Sequence, residues 1–158
     1  MEALQPAPAK SFVLFRVDGK RFAIELATTE RILHAVEVTP LAGAPDVVLG
    51  IINVRGTIVP VYNLRRRLGL AEREIDVTDQ ILLARSTRRT VALVVDAVIG
   101  VVERWVSDEA DGTAVADTLQ LEDGPVPIQH VETFLSPAEE EVLTAQLEAS
   151  YGARSVEA

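Results

Sequence analysis

The segment that most constrains this chain is GIINVRGTIVPVYNLRRRLGL, Gly50–Leu70, which reads as two apolar strands joined by a turn that keeps one arginine. Ile51, Ile52 and Val54 lead into Arg55-Gly56, and Ile58, Val59 and Val61 follow. Gly56 supplies the positive φ that a tight hairpin turn needs. Pro60 falls inside the second strand, where its missing N–H is tolerated only at an edge or a bulge. Asn63 caps a short helix over Leu64–Leu68, and Gly69 ends it. Burial accounts for almost every residue here except Arg55. Its charge is either paired inside the fold or kept for a partner.

Strand signals continue on both sides. Ser11–Val17 and Arg21–Leu26 flank the turn Asp18-Gly19-Lys20, and Asp79–Arg85 and Thr90–Asp96 flank Ser86–Arg89. Thr28–Leu33 reads as one or two helical turns, Val36–Val38 as a short strand, and Val98–Val106 as a strand with Trp105 near its end. Ser107–Asp117 has few large apolar residues and reads as a surface loop. The pattern repeats once. Arg16 and the hairpin ending Phe22-Ala23-Ile24 match Arg85 and the hairpin ending Val91-Ala92-Leu93. Val59-Pro60-Val61, Asn63-Leu64 and Leu68 match Val126-Pro127-Ile128, His130-Val131 and Leu135, which gives His130 a helix-capping reading. Two copies of about 65 residues suggest paired small β-barrels sharing one core, neither burying enough surface alone. Ser136, Pro137 and Glu139 then sign a helix start by N-cap, first-turn proline and capping box. Leu143, Leu147 and Tyr151 give that helix a narrow apolar seam, expected to pack on its own barrel.

Composition narrows the function. Apolar residues make up 48% and aromatics only 4%, so the core is aliphatic. There is no cysteine, which removes disulfides, thiolate catalysis and cysteine-zinc clusters together. No apolar stretch is long enough to span a bilayer, and Met1–Lys10 reads as a disordered leader without a signal core. A soluble, cytoplasmic protein is expected. The net charge of −9 is uneven, with thirteen Asp/Glu against two Lys/Arg from residue 101 onward. That acidic third argues against nucleic acid. Arg65-Arg66-Arg67, the basic cluster, reads as the solvated face of a short helix, or else as a docking patch for an acidic partner. His34 and His130 are far apart in sequence, and no phosphate-cradling glycine loop appears, so catalysis has little to stand on.

Taken together, Gly50-Ile-Ile-Asn-Val-Arg-Gly-Thr-Ile-Val-Pro-Val, then Leu64-Arg65, then Val91-Ala-Leu-Val-Val-Asp-Ala-Val98 resemble a CheW-like domain, the adaptor family of bacterial chemotaxis arrays. Phe12–Leu26 and Val126–Leu135 share in the resemblance. It implies a mainly β fold of two packed, five-stranded SH3-like barrels over residues 11–136, with short helices, a C-terminal helix at 136–151 and a tail at 152–158. It implies no catalysis, no metal and no cofactor. The expected function is coupling the cytoplasmic tip of methyl-accepting chemoreceptors to the regulatory domain of a CheA-type histidine kinase, with array or ring assembly possible. The alternative is a scaffold of a non-chemotaxis chemosensory pathway, or an array filler with altered partners. By position, the resemblance puts Thr29, Arg31, Arg55, Val91 and Val98 at the receptor groove, with Ile81 a further candidate. It makes Gly50, Asn53, Gly56, Pro60, Asn63 and Asp96 structural, with Asp96 accepting backbone hydrogen bonds at a turn.

Overall fold

In a computed structural model of the chain, the described residues are 9–34, 36–105 and 118–152. Most of the expected leader, the loop at 107–117 and the tail after Gly152 lie outside them. Ala9 and Lys10, assigned to the leader, instead begin β1 (Ala9–Val17). It forms a hairpin with β2 (Lys20–Glu25) through Asp18 and Gly19, at φ 56° and 76°. Two successive left-handed residues make the kind of turn whose twist matches the flanking strands.

A 3-10 turn at Leu26–Thr28 leads into β3 (Thr29–His34), so the helical turns expected over Thr28–Leu33 are corrected to a strand. The segment gains a ladder from Thr29↔Ala84 to His34↔Gln80 along β6 (Gln80–Arg85), and that pairing outweighs a weak local pattern. Val36–Val38 is not a strand. Only Thr39 bridges, exchanging hydrogen bonds of 2.9 and 2.7 Å with Ile51 of β4 (Val48–Val54).

The hairpin of β4 and β5 (Thr57–Tyr62) turns at Arg55-Gly56, and α1 (Leu64–Leu68) follows. The Asn63 side chain accepts the Arg66 N–H, and Gly69 closes α1 at φ 73°. Then come β7 (Thr90–Val95), β8 (Ala97–Trp105), β9 (Thr118–Leu121), β10 (Gly124–Pro127), a 3-10 turn at Val131–Thr133, and α2 (Pro137–Tyr151). The capping box of α2 is complete: Glu139 N–H donates to Ser136 Oγ, and Ser136 N–H to Glu139 Oε1. His130 stands at the start of the 3-10 turn, but its side chain does not cap it.

The fold is mainly β with a C-terminal helix. Its described strands form three open ladders, in orders β2-β1-β8, β10-β9 and β3-β6-β7-β5-β4, and no ladder closes on itself as the barrel expectation required. Single bridges stand in for closure. Thr39↔Ile51 joins the segment after β3 to the opposite edge, and Ala23↔Ile128 joins β2 to the segment after β10. Pro60 belongs to a strand flanked on both sides, yet β5 meets β7 only from Val61 onward. On that flank Pro60 is locally an edge residue, which is what its missing donor demands.

The two halves of the chain exchange hairpins. β1–β2, from the first half, pairs with β8 of the second. β6–β7, from the second half, sits in the ladder with β3, β4 and β5 of the first. Strand alternation then sorts the apolar residues into three clusters. Ile52, Val59, Val61, Ile81, Leu83 and Ala92 fill one face of the five-stranded ladder. Phe12, Leu14, Ala23, Leu119, Val126 and Ile128 fill the other lobe. The opposite faces of the same strands, among them Phe15, Ile24, Leu82, Val91 and Leu93, meet Phe134, Leu143 and Leu147 in a larger shared centre. Burial on both faces explains why β6 and β7 read as unbroken apolar runs instead of alternating ones.

Candidate partner-binding site

Arg55 tips the β4–β5 hairpin at φ 54°, a conformation that a side chain bearing Cβ pays about 1 kcal/mol to adopt. Asn53 fixes the turn by accepting the Gly56 N–H at 2.7 Å. Arg55 is exposed, and among the described residues it has no ion-pair partner. Among the described residues, the internal ion pair that could have explained this arginine is not formed.

The remaining candidates separate. Thr29 and Arg31 begin β3, an edge strand of the five-stranded ladder. The register places the start of β3, the β6–β7 turn and the Arg55 turn at one end of that ladder. Thr29 is half-buried, with Oγ1 donating to the Glu25 carbonyl at 3.2 Å, and Arg31 is exposed. Ile81 and Val91 have 0% exposure, Ile81 inside the lobe and Val91 in the shared centre, so neither presents surface to a partner as the fold stands. Val98 belongs to β8, and its N–H donates to Gln80 Oε1 at 2.7 Å, at the far end of the ladder from Arg55. Sequence reasoning passed over Ile32 and Leu26, which are 43% and 40% exposed at the same edge. The β-branched apolar residue in an edge strand beside Arg31 was the available signal, hidden by reading that segment as helical.

Of the residues read as structural, Asn53 and Gly56 stay in the Arg55 turn, while Asp96, between β7 and β8, holds a charged network. Its carboxylate accepts the Asp18 N–H at 2.8 Å, the turn contact the sequence reading assigned it. It also accepts Arg65 Nη2 at 2.8 and 3.0 Å and Arg73 Nη2 at 3.0 Å. Arg73 forks onto Asp79 at 2.8 and 2.9 Å. Asp18 lies on the β1–β2 turn and Arg65 on α1, so this network fastens one lobe to the other. The arginine run is a solvated helix face at Arg66 and Arg67, which are exposed, while Arg65 is drawn in; each reaches a carboxylate. Arg65 joins Asp96, Arg66 joins Glu72, and Arg67 joins Glu139.

Burial of the Asp79 carboxylate opposes its charge, but the Arg73 fork and the Asp76 N–H outweigh that, holding its pKa below the usual carboxylate range. Such a group adds stability above its unfolded pKa of about 3.9 and loses it as pH falls through the lower folded value. Asp79→Asn is expected to be less stable than the parent near neutrality, with the gap narrowing below about pH 4. Urea unfolding across that range measures it. A gap that stayed constant down to acid would show that ionisation of Asp79 contributes nothing.

Among the described residues, no group of three His, Cys, Asp or Glu side chains is placed to hold a metal ion, and no helix is long and apolar enough to cross a membrane. Surface arginine, an open edge and two lobes joined by a charged clasp describe a β-rich module. Residues 11–139 match the CheW-like domain, and the chain belongs to that family. It is 31% identical to the chemotaxis protein CheW of Bacillus subtilis over 120 residues, covering 76% of this chain and 69% of that one. The chemotaxis protein CheW of Rhizobium meliloti is 35% identical over 89 residues, 56% of this chain and 57% of the relative. The chain thus spans little more than half of that relative's length. In fold it resembles the scaffolding protein TtCheW of Thermoanaerobacter tengcongensis, with a TM-score of 0.67 at 21% identity over 82% of this chain and 92% of that one.

Proposed function

We propose that this chain is a non-catalytic chemotaxis adaptor in the cytoplasm, coupling the tip of a methyl-accepting chemoreceptor to the regulatory domain of a CheA-type kinase within an array. We read its two sets of strands as two SH3-like barrels completed by the Thr39 and Ile128 bridges. The observation that carries the reading is Arg55, an exposed guanidinium held at left-handed φ with no ion pair among the described residues. A chain rich in carboxylates has placed this cation where no described carboxylate meets it. A fork of five donors that stays charged suits recognition of a carboxylate or carbonyl on a partner helix. Thr29 and Ile32 pair with Ala84 and Leu82, so they share the strand face turned toward the shared centre and offer that helix an apolar footing.

Arg55→Glu is expected to weaken binding of a receptor-tip fragment by about tenfold or more while leaving the melting temperature within about 2 °C. Fluorescence anisotropy and thermal unfolding read the two effects separately. Unchanged binding would remove Arg55 from the interface, and a large loss of melting temperature would return it to a structural role.

A further inference from the structure

The hairpin of β1 and β2 sets two arginines against each other. Its register places Arg16 directly across from Arg21. Residues so opposed share one face of the sheet, with Cβ atoms about 5 Å apart, and like charges there are destabilising. The chain holds 24 Asp/Glu against 15 Lys/Arg, yet it spends two cations on one cross-strand pair. The fold relieves that repulsion only in part. Arg16 is exposed, and among the described residues its side chain has neither ion pair nor hydrogen bond. Arg21 Nη2 lies 2.9 Å from Asp123 Oδ1 on the β9–β10 turn, and that carboxylate is 71% exposed. The Asp18 carboxylate, on the intervening turn, is 3.6 Å from Arg65 instead. Exposed Lys20 and Glu122 flank the pair and offset each other. A second like-charged pair on the same sheet, Lys10 opposite Arg104, is answered locally. There Lys10 Nζ is 3.5 Å from Glu25 Oε2, and Arg104 Nη1 donates to the Glu103 carbonyl at 2.8 Å.

The two arginines stand on fixed strands. β1 lies between β2 and β8, β2 is bridged to Ile128 at Ala23, and the Asp18 N–H ties their turn to Asp96. Phe12, Leu14 and Arg16 alternate along one face of β1, so the pair sits at the rim of the second lobe's apolar interior. On β8, Arg16 faces Ala97, whose side chain is too small to fill the space beside it. Each guanidinium is a planar fork of N–H donors. Among the described residues, Asp123 takes one donor of Arg21 and nothing takes those of Arg16. A carboxylate is flat and fills one fork. A phosphate group presents its oxygens tetrahedrally, so it can meet two forks at once, and its second negative charge answers the second cation.

We propose that Arg16 and Arg21 form a binding site for a phosphate group, with Asp123 the internal placeholder that the ligand displaces from Arg21. The site lies on a different sheet from Arg55 and stands independently of the adaptor reading. Occupancy exchanges the Arg21–Asp123 tie, which links β2 to the β9–β10 turn, for contact with the ligand.

The test titrates the full chain with inorganic phosphate, a phosphoserine peptide and the same peptide unphosphorylated, following the arginine Nε–H signals by NMR. Ionic strength is held constant with chloride at about pH 8, where the phosphate groups are dianions. Phosphate-dependent binding is expected to weaken about tenfold or more in Arg16→Gln and in Arg21→Gln, and to tighten several-fold in Asp123→Asn. Arg104→Gln should match the parent. Tighter binding of the phosphopeptide than of inorganic phosphate would identify a modified side chain as the source, and the reverse a free ion; either supports the site. Shifts that chloride or the unphosphorylated peptide reproduce, or parental affinity in either Arg16→Gln or Arg21→Gln, overturn it. Unchanged affinity in Asp123→Asn overturns the placeholder role. Because Arg16→Gln removes a repulsion, its unfolding midpoint should equal or exceed the parent's. A lower midpoint would place Arg16 in a structural contact and overturn the proposal too.

Discussion

Gly50→Ala is expected to destabilise the protein by roughly 3–5 kcal/mol, an overpacking clash added to two lost hydrogen bonds. The residue sits on β4 at φ 157°, against the segment that follows β3. A Cβ built there would stand 2.2 Å from the Thr39 carbonyl oxygen and 2.8 Å from its carbon, and these are backbone atoms with no rotamer to change. Relief requires moving Thr39 away, which opens both hydrogen bonds it exchanges with Ile51. That bridge is where the first lobe comes nearest to completing its sheet, so the damage would extend beyond one contact. Urea unfolding measures the effect as a shift in midpoint at constant slope. A cost below about 1 kcal/mol would mean that the close approach is soft and that Thr39 yields without loss.

Arg89→Met is expected to cost about 3–5 kcal/mol, because it abandons a largely buried carboxylate. The Arg89 side chain is only 6% exposed, with Nη1 2.6 Å from Glu140 Oε1 and Nη2 2.6 Å from Thr144 Oγ1. Glu140 and Thr144 both lie on α2, so one guanidinium in the β6–β7 turn holds the first two turns of that helix. Beside it, burial first and the Glu140 charge second push the Tyr62 phenol well above its ordinary pKa, so it stays neutral. The double substitution Arg89→Met with Glu140→Leu should recover much of the loss, since removing both charges leaves nothing unpaired. Hydrogen exchange should place the lost protection in α2. If the single variant were as stable as the parent, Arg88 Nε, 3.9 Å from the same oxygen, would have taken over the pairing.

What could be read from the residues alone divides along physical lines. The two tight turns, the Asn63 and Ser136 caps and the α2 seam are local, and their chemistry is complete within a few residues. They were legible. The resemblance carried the family. The strand character of Thr29–His34 was hidden, because it is conferred by β6, a partner about fifty residues away. The candidate site fared similarly. Arg55 and Thr29 lie at one ladder end, but valine and isoleucine spell core and surface alike. Only register puts Ile81 and Val91 inside while leaving Ile32 out. The Asp96 and Arg89 networks were invisible for the same reason. The first joins groups from three elements and the second joins the β6–β7 turn to α2, and composition assigns every arginine to solvent until pairing is seen.

The hairpin exchange bears on how the chain is made. A ribosome delivers β1 long before β8, and at about 5–20 residues per second the interval is roughly 5–20 s. Throughout that wait the outer hydrogen-bonding groups of β1 face a growing polypeptide that cannot yet satisfy them, a hazard for misassembly between nascent neighbours. Neither half severed at the midpoint would hold the complement of strands that its own lobe needs. The unit must therefore be finished before it can be trusted to stand.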